Sequence, residues 1–592
     1  MAPPLPPTVF KPSPRVVSYL TDGLLYGAHS SNNRDGITKR VGIAEINTQE
    51  GGMRAALETS IFFWQGVVKE LKTPSPSFPP PHSQSEIHAD TDQKMTQADL
   101  LVSSERLAAA LQAQGVGPGD VIGVCSENSL EYCIPVLAAL YVGATCATLS
   151  AGYTPRELMH AMSLSRPRLI FSSEGAEPLV REAADRVAGL AEEVVVMGRE
   201  RQFLRHLTLE MFVSDYVSEQ GRPQHFHLHR VEHPKEHVAF IFCSSGTTGL
   251  PKGVMITHHN VLSLLANQRY AVESDNLPLV EGYALGFLPM YHAYGLMILL
   301  YMLEFEATMV VMPHFNPETF LRTIQEYKIT WCAMVPPILA FLAKHPMVLQ
   351  YDLRSLARVG VGAAPVSGDL LRQFKTRFPH IEFIRQGYGM TELTLSALAN
   401  NANNHDKLES VGKLVPGLEA KVIDESGRSL GAGKNGELCF RGCIVMKGYV
   451  NNPSATSQII DREGWLHTGD VGYYDEEGSF YIVDRLKDLI KYKGFQVPPA
   501  ELEAILMSHP GVMDAAVIGV PDEGAGELPK AFVVKTDAIV TAQQLVDYVN
   551  GQVSSAKKLR GGVQFVEAIP KNPSGKILRK ELRGVVSPKS KL

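Results

Sequence analysis

Surplus charge of one sign is missing from this chain. Its 56 lysines and arginines stand against 62 aspartates and glutamates, a formal net charge of −6 over 592 residues. That balance offers no general attraction to nucleic acid or to an anionic membrane, so neither is an expected partner. Cysteine is sparse as well: the seven are scattered. Only Cys439 and Cys443 lie close together, without partners at metal-ligand spacing. Reduced thiols are expected rather than a disulfide framework. No secretory leader is expected, because Met1 to Pro14 is proline-rich with no apolar core segment. The most apolar stretch, Tyr294 to Met312, is interrupted by Glu304 and Glu306 and reads as a buried helix and strand rather than a membrane span.

What is present is the texture of a multidomain globular protein, 45% hydrophobic and 20% charged. Residues 1–95 are the least regular, with a Pro/Ser-rich linker or loop at Thr73 to Gln84. From Thr96 onward helical and strand patterns alternate. Gln97 to Gln114 has helical spacing, Val121 to Cys125 is strand-like, Leu130 to Tyr141 helical, Leu169 to Ser172 a strand, Leu179 to Leu190 helical, and Val194 to Met197 and Val238 to Cys243 strands. Such alternation predicts an α/β architecture with mainly parallel sheets. From about residue 412 short strand candidates separated by turn pairs predict an antiparallel β module reaching about residue 484. After a basic stretch, a helix near Pro499 to Ser508, strands at Ala515 to Val520 and Ala531 to Val534, and a helix at Ala542 to Val553 predict a small α+β domain over 485–592. The chain therefore divides into a poorly matched segment (1–95), a large domain (96–484) and a small C-terminal domain (485–592).

The most informative segment runs from Ser244 through Ser245, Gly246, Thr247, Thr248, Gly249, Leu250 and Pro251 to Lys252 and Gly253. Small residues let backbone N–H groups approach phosphate oxygens, hydroxyls add donors, and Lys252 adds a positive charge. Pro251 stands where a Walker A loop needs glycine, so this is another kind of phosphate loop. Further along lie Gly362-Ala363-Ala364-Pro365, Gln386-Gly387-Tyr388-Gly389-Met390-Thr391-Glu392, Gly464-Trp465-Leu466-His467-Thr468-Gly469-Asp470, Asp484-Arg485-Leu486-Lys487 through Lys491-Tyr492-Lys493-Gly494, and Pro570 to Lys576.

In this order, from about Thr96 to the C-terminus, the set resembles the adenylate-forming superfamily of acyl-CoA synthetases, 4-coumarate–CoA ligases and firefly luciferase. The resemblance implies a large nucleotide-binding domain followed by a small mobile lid that turns about a hinge at Arg485 and Lys487. It implies ATP, Mg²⁺ and coenzyme A, with a small-molecule carboxylic acid as substrate. By the same resemblance Ser244 to Gly249 and Lys252 hold phosphates, Ala364 and Gln386 to Tyr388 line the adenine pocket, Thr391 meets the α-phosphate, and Glu392 holds the metal. Asp470 and Arg485 receive the ribose, and Lys576 is the adenylation lysine. Lys491 comes in for the thioester step, with Lys493 and Gly494 near coenzyme A. His292 and Tyr294, in Pro289-Met290-Tyr291-His292-Ala293-Tyr294-Gly295, stand beside the acid channel.

Three departures qualify the likeness. His314 stands where plant ligases carry a lysine near the CoA entry. The segment from about residue 27 to 93 lacks a clean match and is longer than the pattern provides. Likeness to beetle luciferase is strong at Cys125-Ser126-Glu127-Asn128-Ser129, Gly448 to Pro453 and Lys557 to Val563, yet Leu395 replaces a small hydroxyl residue of luciferases. Fold alone does not choose among these functions. An acid–CoA ligase acting on a fatty or aryl acid, a luciferase-like monooxygenase, and a non-catalytic acyl or nucleotide binder all fit; the apolar Leu395 favours the first. The last three residues, Ser590-Lys591-Leu592, match the C-terminal tripeptide that a peroxisomal import receptor reads, so a peroxisomal location is expected.

Overall fold

The computed structural model describes residues 84–91, 93–187, 193–198, 207–214, 227–244, 251–274, 282–305, 307–400, 407–493, 495–536, 539–572 and 575–586. The phosphate-loop residues Ser245 to Gly249, Gly494, the C-terminal tripeptide and most of the N-terminal segment lie outside them.

Two mainly parallel sheets dominate. One has the order Gly448–Tyr449, Lys252–Thr257, Val238–Ser244, Thr145–Leu149, Val121–Cys125, Leu169–Ser173, Glu193–Met197. Its central strands run parallel, as continuous apolar runs buried on both faces require. The preceding helix, Gln97–Ala113, starts at a capping box: Thr96 accepts from the Asp99 backbone while the Asp99 carboxylate accepts from the Thr96 backbone. Its Leu100, Leu107 and Leu111 are buried. Val238–Ser244 and Lys252–Thr257 pair antiparallel with Ser244 opposite Lys252.

The second sheet runs Lys413–Leu414, Leu398–Ala399, β3 (Phe383–Tyr388), β2 (Arg358–Val361), β1 (Ile329–Met334), Tyr283–Gly286, Thr308–Val311, Gln84–His88, Lys94–Thr96. Gln84–His88 pairs in parallel with Thr308–Val311, so part of the segment that looked irregular in sequence is a sheet strand. Helices α1 (His258–Ser274) and α2 (Ala293–Glu304) connect the sheets through one shared apolar core. The apolar stretch interrupted by Glu304 and Glu306 is α2 followed by the strand Thr308–Val311. Among the described residues no helix is long and apolar enough to cross a membrane.

Four antiparallel strands, Leu418–Ile423, Gly436–Gly442, Leu466–Tyr474 and Phe480–Arg485, form the β module. His467 to Asp470 sits within the third of these. Its turn-like composition reflects a local irregularity: Gly469 has φ +68° and the pairing shifts register between Val471 and Gly472. The small domain has its own core of Ile490, Val497, Leu502, Val517 and Leu545. Helix α3 (Pro499–Ser508) and the long hairpin Val512–Asp522 with Gly526–Lys535 build it. Asp484, at the junction, accepts from the Arg485 backbone at 2.7 Å and from the Ala500 backbone at 2.8 Å, tying the start of α3 to the β module.

Candidate active site

The carboxyl ends of β1, β2 and β3 face the small domain across a cavity of about 470 Å³. Ligands in open α/β sheets bind outside these strand ends. One end of the cavity is charged. Lys576 and Lys487 from the small domain meet Arg485, and Lys252, Thr391 and Glu392 stand on the large domain. The other end lies between the sheet and helices α1 and α2, where Leu264, Met297, Ile298 and Leu395 supply apolar wall.

Two close approaches shape it. A Cβ on Gly389 would fall 1.6 Å from the Leu395 carbonyl oxygen, so the turn leaving β3 requires glycine there. That turn delivers Thr391 and Glu392 to the cavity. At the start of α2, a Cβ on Gly295 would lie 2.2 Å from the Pro289 carbonyl, and this tight packing sets His292 at the helix N-cap facing the cavity. His292 is half-buried and lines the cavity, and burial lowers its pKa to about 4. It is a neutral imidazole at ordinary pH.

Glu392 is 6% exposed and accepts a hydrogen bond from the Tyr449 hydroxyl at 2.9 Å. Lys252 lies 4.7 Å from the centroid of the same Tyr449 ring. Tyr449 thus ties the hairpin lysine to the carboxylate. A carboxylate that shares a cavity with Lys252 suits Mg²⁺, which takes one or two protein carboxylates and shares phosphate oxygens.

Asp470 accepts from the Tyr388 hydroxyl at 2.7 Å, and its other oxygen lies 3.2 Å from Arg485 Nε. Burial raises the Tyr388 pKa far above the phenol range, reinforced by the Asp470 charge, so the phenol stays a donor. Upstream, His467 lines the cavity with Nδ1 3.2 Å from Glu437 and Nε2 3.4 Å from Asp461. The Cys439 sulfur and the Glu437 carboxylate on its Nδ1 side push its pKa up to about 10. The other Glu437 oxygen accepts from the Gly469 backbone at 2.9 Å. Glu437, Cys439 and His467 are close enough to share a metal ion. Their arrangement also serves as an ion pair that locks the strand carrying Asp470.

Lys576 is crowded by cations. Burial, then the charges of Arg485 and Lys487, lowers its pKa to about 8. Burial followed by Arg485 lowers Lys487 to about 8 as well. A site that strains two ammonium groups in this way favours an anion.

Of the residues singled out in sequence, the cavity brings together Ser244, Lys252, His292, Tyr294, Gln386, Gly387, Thr391, Glu392, Leu395, Arg485, Lys487 and Lys576. Ala363, with φ +73°, lines the cavity, whereas Ala364 is not among its lining residues. Tyr388 and Asp470 are buried, hydrogen-bonded to each other, and not among the cavity-lining residues. Lys491 and Lys493 are exposed on the small domain's outer hairpin, away from the cavity. Sequence reasoning passed over Tyr449, Trp331, Gln268 and Arg385, all on the wall. Arg385 directly precedes the Gln386 motif, a position that marked it; Trp331 and Gln268 carry no local signal.

Comparison with known proteins decides the family. The model for AMP-binding enzymes matches residues 81–450, and that for the AMP-binding enzyme C-terminal domain matches 501–576. This chain belongs to the adenylate-forming AMP-binding enzymes. It is 42% identical to the luciferin 4-monooxygenase of Luciola mingrelica, over 82% of this chain and 89% of that one. It is 39% identical to 4-coumarate–CoA ligase 2 of Nicotiana tabacum, over 84% and 90%. Among solved structures, ATP-bound MatB from Rhodopseudomonas palustris superposes with a TM-score of 0.75 at 26% identity, over 88% of this chain and 98% of that one. An adenylate-forming enzyme uses ATP, and the cationic end of the cavity has the charge that suits a nucleotide's phosphates.

Proposed function

We propose that this AMP-binding enzyme is an acid–CoA ligase. The acid carboxylate attacks the α-phosphorus of ATP, the bond to the β-phosphate oxygen breaks, and pyrophosphate leaves. The coenzyme A thiol, giving up its proton, then attacks the acyl carbonyl, and AMP leaves with the electron pair of the former anhydride bond. The observation that carries this reading is Lys576 of the small domain sharing one cavity with Thr391 and Glu392 and with an apolar arm.

The roles follow from charge. Lys576 bridges the acid carboxylate and the α-phosphate, two anions that otherwise repel each other. Thr391 donates its hydroxyl to the α-phosphate. Asp470, aligned by Tyr388 and Arg485, receives the ribose hydroxyls. Lys252 and the loop from Ser245 to Gly249 hold the outer phosphates. Glu392 would hold Mg²⁺, which would supply further neutralisation of phosphate charge. Lys491, Lys493 and Gly494 act in the second step, after the small domain turns.

Leu395 on the wall supports a ligase: an apolar branched side chain there suits an acyl or aryl body. Identity to luciferin 4-monooxygenases keeps light emission as the second reading. The purified protein is to be given ATP, Mg²⁺, coenzyme A and a panel of fatty and hydroxycinnamic acids, with thioester and pyrophosphate both quantified. Thioester formation supports the ligase. Pyrophosphate without thioester across the panel, with light from added luciferin, establishes the monooxygenase instead. Neither product and no light leaves a binder.

A further inference from the structure

Besides Glu392, the β module gathers a second set of cation ligands with a different chemistry. Cys439 has no partner at metal-ligand spacing along the chain, but the sheet supplies one. It stands directly opposite His467 where Gly436–Gly442 pairs antiparallel with Leu466–Tyr474. Residues directly opposite share a face of the sheet, and Cys439 Sγ lies 3.6 Å from His467 Nδ1. The Glu437 carboxylate reaches the same nitrogen at 3.2 Å. One sulfur, one nitrogen and one oxygen are thus held within 4.8 Å of one another. No other such trio of histidine, cysteine and carboxylate ligand atoms occurs among the described residues.

The spacing suits one ion. Zinc bonds of about 2.0–2.3 Å to nitrogen, oxygen and sulfur, at tetrahedral angles, set ligand atoms about 3.3–3.6 Å apart. Both observed separations lie close to that edge length. The supports are in place as well. His467 Nε2 lies 3.4 Å from Asp461 Oδ2, the kind of carboxylate partner that fixes the tautomer and ring orientation of a ligating imidazole. Asp461 is itself held by the Glu463 and Trp465 backbones, each donating to Oδ1 at 2.9 Å. The other Glu437 oxygen is anchored by the Gly469 backbone. Lys421, opposite Cys439 on its other flank, is turned onto the Trp465 ring, 4.4 Å from the centroid. Its ammonium is engaged by a ring face rather than by the thiol.

A thiolate and a carboxylate carry two negative charges, which one divalent cation neutralises. Thiolate and imidazole select Zn²⁺ over Mg²⁺, whereas the Glu392 carboxylate offers oxygen alone. We propose that Glu437, Cys439 and His467 form a binding site for a thiophilic divalent cation, Zn²⁺ or a close analogue, with the fourth position left to water. On binding, the protons held by Cys439 Sγ and His467 Nδ1 pass to solvent. His467 lines the cavity, which gives the ion its entry path. The bound ion joins the strands Gly436–Gly442 and Leu466–Tyr474, so it stabilises the β module by mass action.

The test uses the full-length protein, stripped by a chelator and kept reduced, with Co²⁺ as a spectroscopic probe and Zn²⁺ followed by equilibrium dialysis. The expected result is one Zn²⁺ per chain, a sulfur-to-cobalt charge-transfer band that Zn²⁺ removes and excess Mg²⁺ does not, and a Zn²⁺-dependent rise in the unfolding temperature. Cys439→Ala abolishes the band and the rise in unfolding temperature, while Cys443→Ala keeps both. Asp461→Asn weakens Zn²⁺ binding about ten-fold, and loss of the Cys439 ligand weakens it at least about a hundred-fold. No binding by the wild type, binding without a charge-transfer band, or a band that survives Cys439→Ala overturns the inference. If Cys439→Ala does not fold, the wild-type band and the Zn²⁺ affinity of His467→Gln decide. None of these readouts involves acid activation, so their failure leaves the ligase reading standing.

Discussion

Lys344, on the large domain, donates from Nζ to the backbone carbonyl of Val512 in the small domain at 3.1 Å, and also to that of Met507 in the last turn of α3. A cation on the carbonyls at a helix C-terminus is favourable for both hydrogen bonding and the helix dipole. Burial lowers the pKa of this lysine to about 8, and Asp514 opposes the shift. The contact holds the small domain in the placement that puts Lys576 in the cavity.

Removing that contact affects one half-reaction. Hydrogen bonds to charged groups contribute about 1.5–3 kcal/mol each. Lys344→Met is expected to slow adenylation, followed as pyrophosphate release, by about ten-fold or more. Thioester formation from preformed acyl-adenylate is expected to fall far less, and Lys344→Arg restores part of the loss. Equal loss in both steps contradicts this role.

The crowded lysines predict proton uptake when ATP binds. Lys576 and Lys487 each have a pKa of about 8 in the free protein, below the ordinary lysine value of 10.5. Triphosphate oxygens favour the charged ammonium, so binding pulls protons from solution near pH 8 and few at pH 6.5. Calorimetric titration with a non-hydrolysable ATP analogue in two buffers of different ionisation enthalpy measures the number taken up. Lys576→Ala is expected to reduce it. Buffer-independent heats at pH 8 contradict the site electrostatics.

The His467 ion pair predicts a stability that falls with alkalinity. Its pKa is raised from 6.5 to about 10 in the folded chain. The folded state therefore binds the proton more tightly, so the stabilisation is full below pH 6.5, declines as pH rises, and is gone above about 10. The difference in unfolding free energy between the wild type and His467→Gln is expected to shrink over that window in urea titrations. The same variant loosens the strand carrying Asp470, so its KM for ATP is expected to rise several-fold. A pH-independent difference contradicts the assignment.

Much of this arrangement was legible in the chain, and the exceptions share a cause. Val121 to Cys125 and Pro499 to Ser508 were bounded closely because apolar runs and a proline start mark them locally. Leu466–Tyr474 is not marked as a strand in the sequence, since Thr468 and Gly469 have turn composition and lie where the pairing with Gly436–Gly442 shifts register. The nucleotide motifs were readable because each packs its chemistry into a few consecutive residues. The acid arm was not: Gln268, Met297, Trp331 and Arg385 come from four separate elements, and only the packing of helices on the sheet brings them together.

The half-reactions of Lys576→Ala test the account most directly. With a good acid substrate, the account predicts that pyrophosphate release falls on the order of a hundred-fold or more. Thioester formation from supplied acyl-adenylate and coenzyme A stays within a few-fold of wild type. Undiminished pyrophosphate release from the variant contradicts the claim that this lysine joins the acid to the nucleotide.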